Sequence, residues 1–156
     1  MRPKIEVNNL NRRYKLNTLY IKKIIAKISA LLKKPHDMEL EVIFLNDVQM
    51  RALNKRYKKR DRSTDVLAFN IDLKEFGSRA RLGEIFISSD EAFKNAKSFG
   101  TRFDKELVLY LIHALLHLSG YRDEKRGDKL RMHKREGGVL NYLWETEDLS
   151  KVLMPR

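Results

Sequence analysis

Cysteine is absent from the 156 residues. Disulfide staples and thiolate ligands are thereby excluded, so any metal ion must be held by histidine and carboxylate. Long apolar runs are missing too. The most apolar one, Leu107 to Leu118, is too short to span a bilayer and contains two histidines. The opening stretch M-R-P-K-I-E-V-N-N-L has no apolar core of the length a secretory leader needs. These absences give the expectation of a soluble, cytoplasmic chain with no membrane association. There are no internal repeats and no low-complexity segments. Acidic residues are in the minority: 21 Asp and Glu stand against 33 Lys and Arg, a net charge of +12. An excess of this size suits a nucleic-acid partner. The plain alternative is a lysine-rich, solvated surface.

The length is that of one domain, residues 1–156, and 42% apolar residues suffice for a core. Ile5 to Leu10 reads as a short strand. Asn17 opens a helix with Leu19, Ile21, Ile24, Ile25, Ile28, Leu31 and Leu32 at helical spacing, stopped by Pro35. Its lysines read as a solvated face, and His36 in the following loop has no partner nearby in sequence. Leu40 to Leu45 reads as a strand. Asn46 and Gln49 form a capping box for a helix to about Tyr57, with Val48, Leu53 and Tyr57 as packing residues. Val66 to Phe69 and Gly83 to Ser88 read as strands joined by a hairpin loop over 72–80. Ser88 with Glu91 caps a helix ended by Gly100, and Thr101 with Asp104 caps the next, which is apolar almost all round and therefore buried. A basic last helix follows, with Leu130, Leu140 and Leu143 toward the core and an interruption at Gly137-Gly138. The expected fold is α+β: a small mixed four-stranded sheet packed with about five helices, the central one buried.

That central helix carries the chemistry. His113 and His117 are four residues apart, which puts both imidazoles on one helix face. Gly120 stands where the helix would stop on a left-handed residue, and the returning chain brings Asp123 within reach of the same ion. Three ligands leave room for water, which is the catalytic rather than the structural type of zinc site. The alternatives are a pair of hydrogen-bonded core histidines and a solvated turn aspartate. His133 reads as a surface or packing residue. Lys55 to Arg62, K-R-Y-K-K-R-D-R, is a run of the kind that contacts phosphate or is simply exposed. A second basic segment follows Asp123, beginning at Lys125 and Arg126.

The chain resembles the YbeY family of bacterial endoribonucleases and rRNA maturation factors. That family's central motif is H-G-x-L-H-L-x-G-Y-D-H, and here His113, Leu116, His117, Leu118, Gly120 and Tyr121 match. Leu53-Asn54 with Tyr57, then Thr64-Asp65-Val66-Leu67 and Phe69, match a second motif; Leu82-Gly83-Glu84-Ile85 with Ile87-Ser88 match a third; Met132, Glu136 and Leu140 match a closing M-x3-E-x3-L. The likeness runs from about Leu40 to Leu143. Two positions depart from it. The family's third histidine ligand is Asp123 here, and its catalytic arginine is Lys58, with Arg60 close by. Lysine is a point charge and not a bidentate fork.

The resemblance implies a single-strand-specific, metal-dependent endoribonuclease of rRNA maturation, at the 3′ end of 16S rRNA, and of ribosome quality control. His113, His117 and Asp123 would hold one Zn2+, or another divalent metal. Lys58 and Arg60 would act in catalysis. Lys55, Arg56, Lys59, Arg62, Lys125 and Arg126 would hold RNA, with the small ribosomal subunit as partner. Two rivals stand beside it. A ribosome assembly factor would need the charge but not the metal. A metzincin-like hydrolase needs a glutamate directly after the first histidine, and that position is Ala114.

Overall fold

Period-two alternation organises the sheet. In the computed structural model, which describes residues 4–32, 38–72, 74–77 and 81–155, Leu40, Val42 and Phe44 point to one face of a strand and are buried, while Glu41 and Ile43 point to the other. The strands are β1 (Ile5–Asn9), β2 (Met38–Leu45), β3 (Val66–Asp72) and β4 (Arg81–Ser88), in spatial order β1-β2-β4-β3. β1, β2 and β4 are parallel; β3 runs antiparallel along the edge of β4. This is the mixed four-stranded sheet expected from the sequence.

Among the described residues there are five α-helices, α1 (Thr18–Leu31), α2 (Asp47–Lys58), α3 (Ser89–Phe99), α4 (Phe103–Leu118) and α5 (Arg126–Thr146), of which the first four pack on the sheet and the last packs on α4. Ile21, Ile24, Ile25 and Ile28 of α1 are fully buried against the sheet and α4, each such burial contributing about 1.5–3 kcal/mol. The second face of the sheet carries a smaller cluster, in which Met50 and Leu53 of α2 meet Leu45, Leu67, Phe69 and Phe86. Pro35 and His36, and residues 73 and 78–80 of the loop after Asp72, lie outside the described residues; Lys74–Phe76 form a short 3-10 turn.

The caps follow the sequence at most ends. Asn17 accepts from the Tyr20 amide, Asn46 and Gln49 complete a reciprocal box, and Ser88 accepts from the Glu91 amide. Gly100 ends α3 with φ 64°. Four expectations need correction. The α4 N-cap is Arg102, with no side-chain cap; the Thr101 hydroxyl donates to Glu106 at 2.8 Å instead, because the α3–α4 turn carries it one residue too early. Val48 is 78% exposed, since α2 turns its opposite side to the sheet, and Tyr57, though its ring lies 5.5 Å from Phe69, is also exposed. Leu130 is exposed; the core side of α5 is Met132, Val139 and Leu143. Gly137-Gly138 does not interrupt α5, which runs unbroken for 21 residues. No neighbour lies within 4 Å of where either glycine would carry a Cβ, so close packing is not their purpose.

Candidate metal centre

α4 is buried on every side but one. Lys105, Leu109, His113 and His117 recur at four-residue steps and are each partly exposed, while the residues between them are closed off. The helix is therefore anchored by its apolar faces and offers a single stripe to solvent, with both imidazoles on it.

The end of α4 builds the next part. Gly120 has φ 99°. Its amide donates to His117 O at 3.0 Å and that of Tyr121 to Leu116 O at 3.0 Å, the paired bonds of a Schellman turn. The turn swings the Tyr121 carbonyl back onto the helix, where it lies 3.1 Å from His117 Nδ1. A carbonyl oxygen can only accept, so Nδ1 carries the proton and Nε2 presents a lone pair. His113 is oriented from the other side. Its Nδ1 lies 2.5 Å from Glu136 Oε1 on α5, and the carboxylate again fixes Nδ1–H as donor and Nε2 as lone pair.

Those two Nε2 atoms face each other at 3.0 Å. With both imidazoles neutral, two lone pairs so placed repel unless a shared proton or a metal ion stands between or beside them. Asp123 Oδ2 completes the group, 3.4 Å from His117 Nε2 and 3.9 Å from His113 Nε2. All three donor atoms lie within 4.8 Å of one another. Zinc–nitrogen bonds of about 2.0–2.1 Å in a tetrahedron put neighbouring ligands about 3.3 Å apart, and the separations of 3.0, 3.4 and 3.9 Å straddle that value. Two neutral imidazoles and a carboxylate fit a borderline divalent cation. Side-chain exposures of 28%, 29% and 40% for His113, His117 and Asp123 leave one side of the group open.

The electrostatics agree. Burial opposes charging His113, but the hydrogen bond and charge of Glu136, with the nearby Asp65 and Asp123 carboxylates, outweigh it and raise the imidazole pKa. A local field that favours a proton favours any cation. Asp65 immediately precedes β3, and its carboxylate accepts from the Val66 amide at 2.7 Å.

The basic residues fall into two groups. Lys55, Arg56 and Lys58 occupy the last turns of α2, and Lys59, Arg60 and Arg62 the loop that leads to Asp65. Lys58 Nζ stands 5.7 Å from the Phe69 ring centre; Arg56 lies over Tyr57; Lys55 lies 4.0 Å from Asp61. Lys59 caps α2 with φ 59°. The loop is pinned from beneath: the buried Asn54 amide donates to Arg62 O at 2.8 Å, and Ser63 donates to Asp47 at 3.2 Å. Lys125 and Arg126 form the start of α5, both exposed, two and three residues after Asp123. His133 is exposed on α5. None of the basic side chains contacts the His–His–Asp group directly among the described residues. Sequence reasoning missed Glu136, the Tyr121 carbonyl and Asp65 as parts of the site. Glu136 and Asp65 were visible as motif positions, but their partners are distant in sequence, and a backbone carbonyl leaves no sequence signal.

A family model described as endoribonuclease YbeY matches residues 6–143. A Geobacter metallireducens endoribonuclease YbeY is 35% identical over 144 residues, 90% of this chain and 95% of the relative. One from Aquifex aeolicus is 38% identical over 109 residues, 69% of this chain and 72% of the relative. A Thermotoga maritima protein solved in solution superposes with a TM-score of 0.63 at 25% identity, covering 91% of this chain and 90% of that one.

Proposed function

This chain belongs to the endoribonuclease YbeY family, and on that premise we propose that it is a metal-dependent endoribonuclease that cuts single-stranded RNA, acting in maturation of the 16S rRNA 3′ end and in ribosome quality control. The observation that supports the metal dependence is the convergence of His113 Nε2, His117 Nε2 and Asp123 within 4.8 Å of one another, both Nδ1 atoms being already committed to the Tyr121 carbonyl and Glu136. His113, His117 and Asp123 would hold the ion. A bound divalent cation supplies Lewis acidity toward a phosphodiester.

The chain's own residues do the rest. Glu136 and Tyr121 O keep the imidazoles in the tautomer that binds. Lys58 and Arg60 neutralise charge that gathers on phosphate as the bond breaks. Lys55, Arg56, Lys59 and Arg62 on one side, and Lys125 and Arg126 on the other, hold the backbone, so affinity falls steeply with salt. Zinc is the metal we propose, and RNA of the small ribosomal subunit the substrate. No helix among the described residues is long and apolar enough to cross a membrane, and we place the protein in the cytoplasm. Ala114, directly after the first histidine, is fully buried; the general base of a zinc peptidase has no counterpart there, which favours the nuclease.

Elemental analysis of the wild type and His117→Ala, each checked for folding by circular dichroism, tests the reading together with cleavage of a single-stranded RNA reporter. About one zinc per chain, lost together with cleavage in a folded variant, is expected. A metal-free wild type after zinc addition, or a folded His117→Ala that still cleaves, would overturn it; RNA binding without metal or cleavage would leave an assembly factor.

A further inference from the structure

The open stripe of α4 continues past the histidines, and so does its neighbour. α5 runs antiparallel to α4: Glu136 meets His113 at one end, and two turns on Trp144 meets Lys105 and Arg102 at the other. Trp144 is the chain's one tryptophan. The residue is 47% exposed and belongs to neither buried cluster. Arg102 stands 5.1 Å and Lys105 5.6 Å from the ring centre. Arg102 is held by the buried Asp104 at 2.5 Å, whereas Lys105 is in no ion pair among the described residues.

The stretch between carries two leucines that are partly open to solvent, Leu109 and Leu140. Gly137, Leu140 and Trp144 fall at i, i+3 and i+7 on one face of α5. Nothing packs on Gly137, yet a mid-helix glycine costs about 1 kcal/mol relative to alanine. A bare backbone lets a ligand approach closely. Lys105 is ten residues from the midpoint of the histidine pair, roughly 15 Å along the helix, a span of several nucleotides.

We propose that the α4–α5 seam is a binding track for single-stranded nucleic acid leading to the metal centre, with Trp144 as the platform on which a base stacks and Lys105 and Arg102 holding the adjoining phosphates. An exposed aromatic beside cations is the arrangement that binds single strands without reading sequence, since every base has a π-face. The inference rests on the reading of this protein as an RNA-cleaving enzyme.

The single tryptophan makes the test direct. The full chain is titrated with a labelled, cleavage-resistant 2′-O-methyl oligonucleotide of ~10 nucleotides, while its anisotropy and the Trp144 emission are followed together. Emission should be quenched in step with binding, more by oligo(A) than by oligo(U). Trp144→Ala should weaken binding about five-fold or more, Trp144→Phe should restore most of it, and Lys105→Ala should reduce the salt slope by about 0.7. Binding with unchanged emission and undiminished affinity in Trp144→Ala would overturn the track, leave the RNA reading standing, and give this surface to a protein partner. Failure of every oligonucleotide to bind the wild type would sink the RNA reading itself. The emission measurement needs no variant, so a misfolded Trp144→Ala would not shelter the proposal.

Discussion

Replacing Glu136 with glutamine should weaken zinc binding about ten-fold without unfolding the protein. The carboxylate is 12% exposed and its oxygen lies 2.5 Å from His113 Nδ1. A hydrogen bond to a charged acceptor contributes about 1.5–3 kcal/mol and a neutral one about 0.5–1.5, so the substitution loses roughly 1–1.5 kcal/mol, or about ten-fold in affinity. Outer partners of metal-bound histidines typically account for about 10–100-fold, and Glu136→Ala, which leaves Nδ1–H without a partner, should lie toward the upper end. The assay is competition with a chromophoric chelator at pH 7.

The metal-free protein gives an independent sign. Burial opposes the imidazolium but Glu136 outweighs it, so the folded pKa is raised. The stabilisation from this pair is complete below the unfolded value of about 6.5 and is lost as pH rises through the folded one. Glu136→Gln should therefore lower the melting temperature of the apo-protein in mild acid and much less in mild base. Wild-type zinc affinity in Glu136→Gln, or a loss of apo-stability independent of pH, would refute the carboxylate–imidazole reasoning.

Four further outcomes follow from other parts of the structure. Gly120→Ala meets no neighbour but must adopt φ 99°; it should cost about 1–2 kcal/mol in chemical denaturation and also weaken metal binding, because the same turn sets Tyr121 O and Asp123. Gly138→Ala, on the exposed side of α5 with open space for a methyl group, should stabilise by about 0.5–1 kcal/mol, read as a higher denaturation midpoint with oligonucleotide affinity unchanged. Lys59→Gly relieves a left-handed lysine at φ 59° and should stabilise by about 1 kcal/mol while removing one positive charge from the basic loop, so a stabler protein should bind RNA more weakly. Glu84 sits beside Glu41 in the β2–β4 register, and burial, then that neighbour, raise its pKa; stability is therefore lost as pH rises from the ordinary glutamate value through the raised one, and Glu84→Gln should stabilise at neutral pH and flatten the profile across that window.

The sequence made the helix ends and the pairing of the two histidines legible because both are local. Asn46 with Gln49, Ser88 with Glu91, and Gly120 satisfy backbone groups within a few residues, so the signal and its partner sit in one window. The His113–His117 spacing is equally local. What was not legible depends on which side of an element meets the core. Val48 and Leu130 are apolar residues at positions compatible with packing, and only the placement of α2 against the second sheet face and the rotation of α5 about Met132, Val139 and Leu143 decide against them. Glu136 is 23 residues from His113, and nothing in the intervening sequence marks its carboxylate as that imidazole's partner.

The same turn bears on the aspartate at the proposed third ligand position. The Schellman geometry at Gly120 commits His117 Nδ1 to the Tyr121 carbonyl and Glu136 commits His113 Nδ1, so neither imidazole depends on residue 123 for its orientation. The third position then needs only to deliver an oxygen or nitrogen into a gap already lined by two lone pairs. Asp123 is the most exposed of the three at 40%, on irregular chain between α4 and α5, where a short side chain can be accommodated by small backbone shifts. Substitution at His113 or His117 has no such freedom, since each is fixed by α4 on one side and by Glu136 or Tyr121 on the other. Tolerance within this centre is therefore graded by how rigidly each donor is held, and the donor that departs from the family pattern is the one on the least constrained element.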